Sequence, residues 1–423
     1  MPKGKSSCIV TVTMNNENVA TRGRLSAAKA DRVHRRGVSP LGLAGLVCAM
    51  LAGVFVLWGF YSTKGPNGSD WQTFYIAAAH WRDGQKVYTV ADGFYNPPPV
   101  LLLIRPFLLL PYTGSRIVWG VLTTIMLLVS AVLTANATGW RPSRQELIIG
   151  GWLILFYIPA MLLAPLTGNL SAPVLLSYAL AFWLFARGKD SLAGAVLSLS
   201  LIKLQLAFLT LPLLVYKRRW RASAAYCVTA LVILAISFPL VGLDNFKDFV
   251  SVERSIAGWT NSNDALQLDV PGIHGMLLQH WPHSTGAELA ANIISVLLVL
   301  ALAWYWRGPW EPSSPHFQRG WAIVVLVTVL LASYAHSYDM VLLIFPAALL
   351  YAEKLKKLVN GRAATAALYG LYICPGIVLL VRQHAMVPAI LLAIVVLWKG
   401  SDSGRVRSMT VDSHSNLLVT ADA

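Results

Sequence analysis

Four groups of residues in this 423-residue chain could handle a proton or a charge in a mostly apolar setting. The first is Asp70, at the head of a wet stretch, 68–99, that also holds Asp83, Asp92, Trp71 and Trp81 and ends in Pro97, Pro98 and Pro99. The second is Lys203, with Gln205 beside it, in the middle of an apolar run. The third is the turn His336, Ser337, Tyr338, Asp339, and the fourth is a set of single polar residues, Tyr95, Arg105, Asn169 and His274. A carboxylate beside a hydroxyl can take its proton as that oxygen attacks, and a cation or hydrogen-bond donors can stabilise a departing phosphate. An ionisable group at membrane depth costs on the order of 2.5–3.5 kcal/mol on insertion scales, so Lys203 needs a partner or a polar cavity. Asp70 is the candidate reactive group, and the stretch around it the roof of a membrane-embedded site.

Composition says what kind of elements must position these groups. Apolar residues make up 56% of the chain and charged ones 13%, against roughly 25% charged in a soluble domain. Long apolar runs recur from end to end, so the expected fold is an all-α polytopic membrane protein. The runs do not alternate apolar with polar, which argues against a β-barrel. A net charge of +15 would suit nucleic acid, but most Lys and Arg cluster beside hydrophobic segments, the positive-inside pattern, so no nucleic-acid partner is expected. Cys8, Cys48, Cys227 and Cys374 are scattered and define neither a metal site nor a disulfide framework. No clustered ligands demand a cofactor, although outer-face carboxylates leave a loosely held divalent metal open.

Residues 1–38 read as a disordered basic cytoplasmic tail, with Met14 an alternative start. The transmembrane domain covers 39–399, and 400–423 form a second cytoplasmic tail. Arg32, Arg35 and Arg36 precede the first apolar run, 40–61, and orient it from inside to outside. Residues 62–99 then form a first extracytoplasmic loop. Ser69 and Gln72 fit a capping box that starts a helix at Asp70. Trp71, Tyr75, Ala78 and Trp81 recur there at helical spacing, a stripe expected to lie in the membrane interface, and Gly84 ends the helix. Arg105 and Pro106 break an apolar run too short to span, which predicts a re-entrant or half-length helix. The run 192–216 begins and ends among inner-face cations, so it predicts a hairpin of two short helices with Lys203 at its outer tip. A second large outer loop covers 242–286, and 336–339 form a compact outer turn. The expectation is about 12 membrane segments, half-length ones included, with both termini cytoplasmic and a cavity opening outward.

These residues, in this order, resemble glycosyltransferase family 87. The resemblance is carried by an Asp shortly after the first helix, an aromatic-Ala helix behind it, Gly84, Tyr88, and a Tyr-x-Pro-Pro pattern at Tyr95, Pro97 and Pro98. It continues through Leu110 and Pro111, the Gly168 and Asn169 turn, the Lys203 hairpin ending in a Lys/Arg/Trp cluster, and Ser-Tyr-Ala-His-x-Tyr-Asp at 333–339. It runs from Trp58 to nearly Glu353. It implies a GT-C-type fold and transfer of a hexose, mannose by default, from a polyprenyl-phosphate donor to a lipid or glycan acceptor. The reaction would be inverting, on the extracytoplasmic side of a bacterial plasma membrane. By the same resemblance Asp70 is the general base and Lys203 the first choice to meet the donor phosphate. Gln205, Arg105, Tyr95, Asn169, His274, His336 and Tyr338 are further donor contacts. Asn169 stands where the family often has Gln, and Leu204 and Gln205 where it has Pro near the lysine, so the resemblance does not name the sugar.

Each residue also has a plainer use. Asp70 suits the first turn of a helix by charge alone. Lys203 could reach an interface along its aliphatic stem, and His336 and Tyr338 could anchor one. His274 could be a turn residue after Pro271 and Gly272, and capping the helix behind it is the favoured role for Asp339. The competing function is a multi-pass transporter or flippase of lipid-linked sugars, but the inverted repeat of broken helices that marks such proteins is not evident.

Overall fold

The computed structural model describes residues 70–88, 93–146, 148, 150, 168–259, 272–281, 284–332, 335–378 and 386–400. Among them the chain is helical throughout, with no strand. The expected first span at 40–61, the Ser69 cap, most of the segment at 147–163 and both tails lie outside the described residues.

Helix α1, Asp70–Arg82, carries Asp70 in its first turn and His80 and Arg82 in its last, charges that suit the two ends of a helix dipole. Gly84, at φ +69°, lets the chain turn away while Gln85 N donates to His80 O at 2.8 Å. A residue with a side chain would resist that left-handed conformation. Helix α2, Pro99–Ile104, begins on proline, which loses no hydrogen bond at that position. Pro106 then tightens the chain into a 3-10 stretch, Arg105–Leu109. The half-length apolar helix expected here is present.

The chain continues through α3, Tyr112–Ala137, α4, Ser171–Phe185, and α5, Asp190–Ser198. A 3-10 stretch, Leu199–Leu206, joins α5 to α6, Thr210–Tyr216. Next come α7, Trp220–Val241, α8, Leu243–Trp259, α9, Ile273–His280, α10, Thr285–Tyr305, and α11, Pro315–Leu331. A second 3-10 stretch, Ser337–Leu343, leads into α12, Ile344–Leu355, followed by α13, Gly361–Val378, and α14, Met386–Gly400.

Helices α3, α7 and α10 are long and apolar enough to cross a membrane. They turn Val121, Val132, Val228, Leu231, Leu297 and Leu300 outward, each more than half exposed, and apolar faces of that extent are stable against lipid rather than water. Helix α11 is the opposite case, buried at every residue from Phe317 to Leu331. At 17 residues it is about 25 Å long, shorter than a hydrocarbon core of ~30 Å. A helix buried all round belongs at the centre of the bundle.

Two apolar cores result. The large one gathers α4, α11 and α12 around Phe182, Phe317, Trp321 and Phe345. The small one joins α1 and α2 to Trp119 of α3, Val241 of α7 and Val252 of α8. In it Trp71 stacks on Trp119 at 4.8 Å and meets Phe107 edge-on at 5.1 Å, while its Nε1 donates to Ser115 Oγ at 3.0 Å. This corrects the expectation for the aromatic stripe. Trp71, Phe74, Ala77 and Ala78 are buried against protein, so α1 is packed onto α2 and α3 instead of resting its Trp71 face on lipid. At its far end Trp81 Nε1 donates to Leu240 O at 3.2 Å, and Lys86 pairs with Asp248 at 3.5 Å. Residues of the two expected outer loops therefore touch.

Basic residues of the expected inner turns close helix ends. Lys217 Nζ donates to Trp306 O at 2.7 Å and to Gly308 O, just past α10. Lys356 Nζ donates to Thr138 O, at the end of α3. Carbonyls at a helix C-terminus lack partners within the helix, and a cation there also meets the favourable end of the dipole.

Candidate active site

Three segments besides α1 contribute to the candidate site, and two of them face Asp70. The first contributor is the turn that starts α4. Gly168 has φ +75°, and a Cβ on it would lie 2.4 Å from Trp71 Cβ, so only glycine lets this turn rest against α1. Asn169 Oδ1 then accepts from Ser171 N at 2.9 Å, a short polar side chain starting a helix. The Ser171 hydroxyl is left facing inward, fully buried.

The second contributor is Lys203. Helical geometry breaks at this residue, at φ −137° and ψ 83°, between the two short helices α5 and α6. Its side chain is buried, with Nζ paired to Asp339 Oδ1 and donating to Ser171 Oγ at 3.2 Å. The ammonium also lies 4.7 Å from the centre of the Tyr338 ring, a face that attracts cations.

The third contributor is the turn before α12. Asp339 is completely buried. Its Oδ1 accepts from Lys203 Nζ and from the Ser171 hydroxyl. Its Oδ2 accepts from His336 N at 2.9 Å. The expected capping role is thus present, and a second role is added to it, since Asp339 is the counter-charge that the buried lysine needs. The His336 and Tyr338 rings lie 5.1 Å apart.

Asp70 completes the group. Its carboxylate faces Lys203, His336 and Asp339 and accepts from the Tyr338 hydroxyl, yet the residue keeps part of its surface open. Burial pushes the carboxyl above its ordinary range. Lys203, then His336 and the Tyr338 hydroxyl, hold it back, Asp339 adds to the rise, and the net direction is upward. Burial, with the charges of Asp70 and Asp339 behind it, lifts the Tyr338 phenol well above its usual value, so it stays a donor. The arrangement holds one carboxylate saturated with contacts beside one part-open carboxylate of raised basicity, the kind of split that separates roles in acid–base sites.

Of the residues singled out from sequence, Asp70, Lys203, His336 and Tyr338 are brought together. Asn169 stands one turn away, committed to starting α4, and Gln205 follows Lys203 by two residues, partly buried. Arg105 is exposed and lies over the Trp81 ring at 4.9 Å, at the opposite end of α1 from Asp70. His274 Nε2 faces Asn292 Oδ1 on α10 at 3.1 Å. Tyr95 packs against the small core. Ser171 escaped the sequence reading. Its signal was a hydroxyl two residues past the Gly168 and Asn169 turn, opening an apolar helix, but serines are common in such places. Among the described residues, no group of three or more His, Cys, Asp or Glu is gathered to hold a metal ion.

A family model described as Glycosyltransferase family 87 matches residues 94–334, more than half of the chain. The matched stretch includes Asn169, Ser171 and Lys203, while Asp70 and the 336–339 turn flank it. No curated protein matches the chain.

Proposed function

The chain belongs to glycosyltransferase family 87, a membership that makes it a membrane glycosyltransferase, and on that premise we propose an inverting hexosyl transfer with Asp70 as the general base. The donor is a polyprenyl-phosphate-linked hexose, mannose first, and the acceptor a lipid or glycan hydroxyl. The setting is the extracytoplasmic side of a bacterial plasma membrane, in a GT-C-type fold of about 12 membrane segments with both termini inside.

The observation that carries this reading is the meeting of Asp70 with Lys203, His336 and Tyr338. Asp70 takes the proton of the acceptor hydroxyl as its oxygen bonds to the anomeric carbon. The bond from that carbon to the phosphate oxygen breaks on the opposite side, and the electron pair leaves with the polyprenyl phosphate. Lys203 supplies positive potential where the phosphate gathers charge, and the Tyr338 hydroxyl and His336 supply polar contacts beside it. A part-open carboxylate of raised basicity suits the first step. Family membership weighs against the transporter or flippase alternative.

Purified protein offered labelled polyprenyl-phosphate mannose, glucose and arabinose with a membrane-lipid extract should pass label from one of them to an extractable product. Transfer from none, together with movement of intact lipid-linked sugar across vesicles, would overturn the enzymatic reading.

A further inference from the structure

The buried cluster holds two carboxylates and one ammonium, and among the described residues Lys203 makes its ion pair with Asp339 and not with Asp70. Every feature of the surroundings favours that choice. Asp339 is completely buried, and its Oδ2 is fixed by the backbone of the turn through His336 N at 2.9 Å. Its Oδ1 takes both the ammonium and the Ser171 hydroxyl. Ser171 in turn accepts from Lys203 Nζ at 3.2 Å, so the lysine, the serine and the aspartate form a closed ring of contacts. Asp70 receives the Tyr338 hydroxyl and keeps an open side.

We propose that Asp339 and Ser171 are positioning residues that hold the Lys203 ammonium off Asp70, so that Asp70 remains an unpaired base for the acceptor hydroxyl. This deepens the reading of Asp70 as general base and rests on it. A carboxylate in direct contact with an ammonium loses basicity, and a weaker base accepts the acceptor's proton less readily. Asp339 keeps the cation close enough to act on a phosphate while denying it to Asp70. The charged and titratable groups that face Asp70 are Lys203 from the break between α5 and α6, and His336, Tyr338 and Asp339 from the turn before α12.

The test is the pH dependence of kcat/KM for sugar transfer. In Asp339→Asn the repulsion on Asp70 is lost and the ammonium is released toward it. Both effects make Asp70 a weaker base, so the acid limb should move to lower pH by about one unit or more, with the plateau rate falling at least tenfold. Adding Lys203→Met removes the ammonium and should return the limb to the wild-type pH or above it. Ser171→Ala should move the limb in the same direction by less, while Ser171→Thr, which keeps the hydroxyl, should leave it in place. A purely capping role for Asp339 predicts lost protein or lost rate with an unmoved limb, and a folded Asp339→Asn protein of that kind would overturn the proposal. If Asp339→Asn yields no folded protein, Ser171→Ala decides, and an unmoved limb there counts against it. Should Asp70→Asn retain normal turnover, the general-base reading fails first, a result distinct from an unmoved limb in an enzyme that still requires Asp70.

Discussion

Asp70 and Asp339 are the same side chain in two settings, and the settings divide their work. One is saturated, contacted by an ammonium, a hydroxyl and a backbone N–H. The part-open one is raised in basicity by burial. Replacing Asp70 by Asn keeps its shape and removes its proton affinity. Transfer should drop by about 10²–10⁴-fold, while expression and thermal unfolding stay as in the parent protein. The raised carboxyl also fixes the sign of the pH effect. A base must be deprotonated to act, so activity should begin to fall at a higher pH than an ordinary carboxylate would give, which a kcat/KM profile reads directly. Much of this cluster is legible in the sequence because charge is scarce in an apolar chain. Lys203 in the middle of an apolar run asks for a partner. Ser171 was not legible, because a serine's importance lies in what faces it, and for Asp339 capping was the favoured role because its distant partner is invisible in local spacing.

Helix α1 shows what one element needs in order to present one residue. Its buried face is set by Trp71, Phe74 and Ala78, and its start is held down by the glycine turn at Gly168. Gly168→Ala adds a methyl where Trp71 Cβ would stand 2.4 Å away and strains a left-handed backbone as well. The expected cost is about 1–3 kcal/mol of stability, together with a loss of kcat, because the displaced end of α1 carries Asp70. Thermal unfolding and single-turnover assays on the same preparation check both effects. The helix and its two ends were legible from Asp70, the aromatic spacing and Gly84. The surface it packs on was not, since a membrane interface and a protein core select the same aromatic stripe. Helix α5, which leads to Lys203, depends on an equally close contact, where a Cβ on Gly194 would lie 2.0 Å from Ala222 O of α7. That approach could not be read from either helix alone.

At the scale of the whole molecule, a buried bundle centred on α11 is edged by helices that face lipid. Among the described residues a further buried ion pair joins the start of α11 to the end of α12, the ends of those helices away from the 336–339 turn. Arg319, near the start of α11, donates from Nε to Glu353 Oε2 at 2.8 Å, with both side chains buried. Glu353→Gln leaves an unanswered guanidinium and should cost about 3–5 kcal/mol, read as a lower unfolding temperature. The double replacement Arg319→Met with Glu353→Leu should recover much of that loss. Sidedness is tested by single cysteines at Gln85 and Ser313, in a background lacking Cys8, Cys48, Cys227 and Cys374. An impermeant thiol reagent should label them from opposite faces, and labelling of both from one side would reverse the orientation read from charge. The membrane class was legible from composition, because three helices turn their apolar faces outward. The meeting of the two expected outer loops was not, since Lys86 and Asp248 stand about 160 positions apart. The Lys203 to Asp339 pair spans 136 residues, which at a synthesis rate of ~5–20 residues per second separates the two on the order of ten seconds in time. The lysine leaves the ribosome well before its counter-charge exists. Throughout that interval its ammonium is without the carboxylate that pairs it in the finished fold, and the break at Lys203 gains its buried counter-charge only when the 336–339 turn arrives.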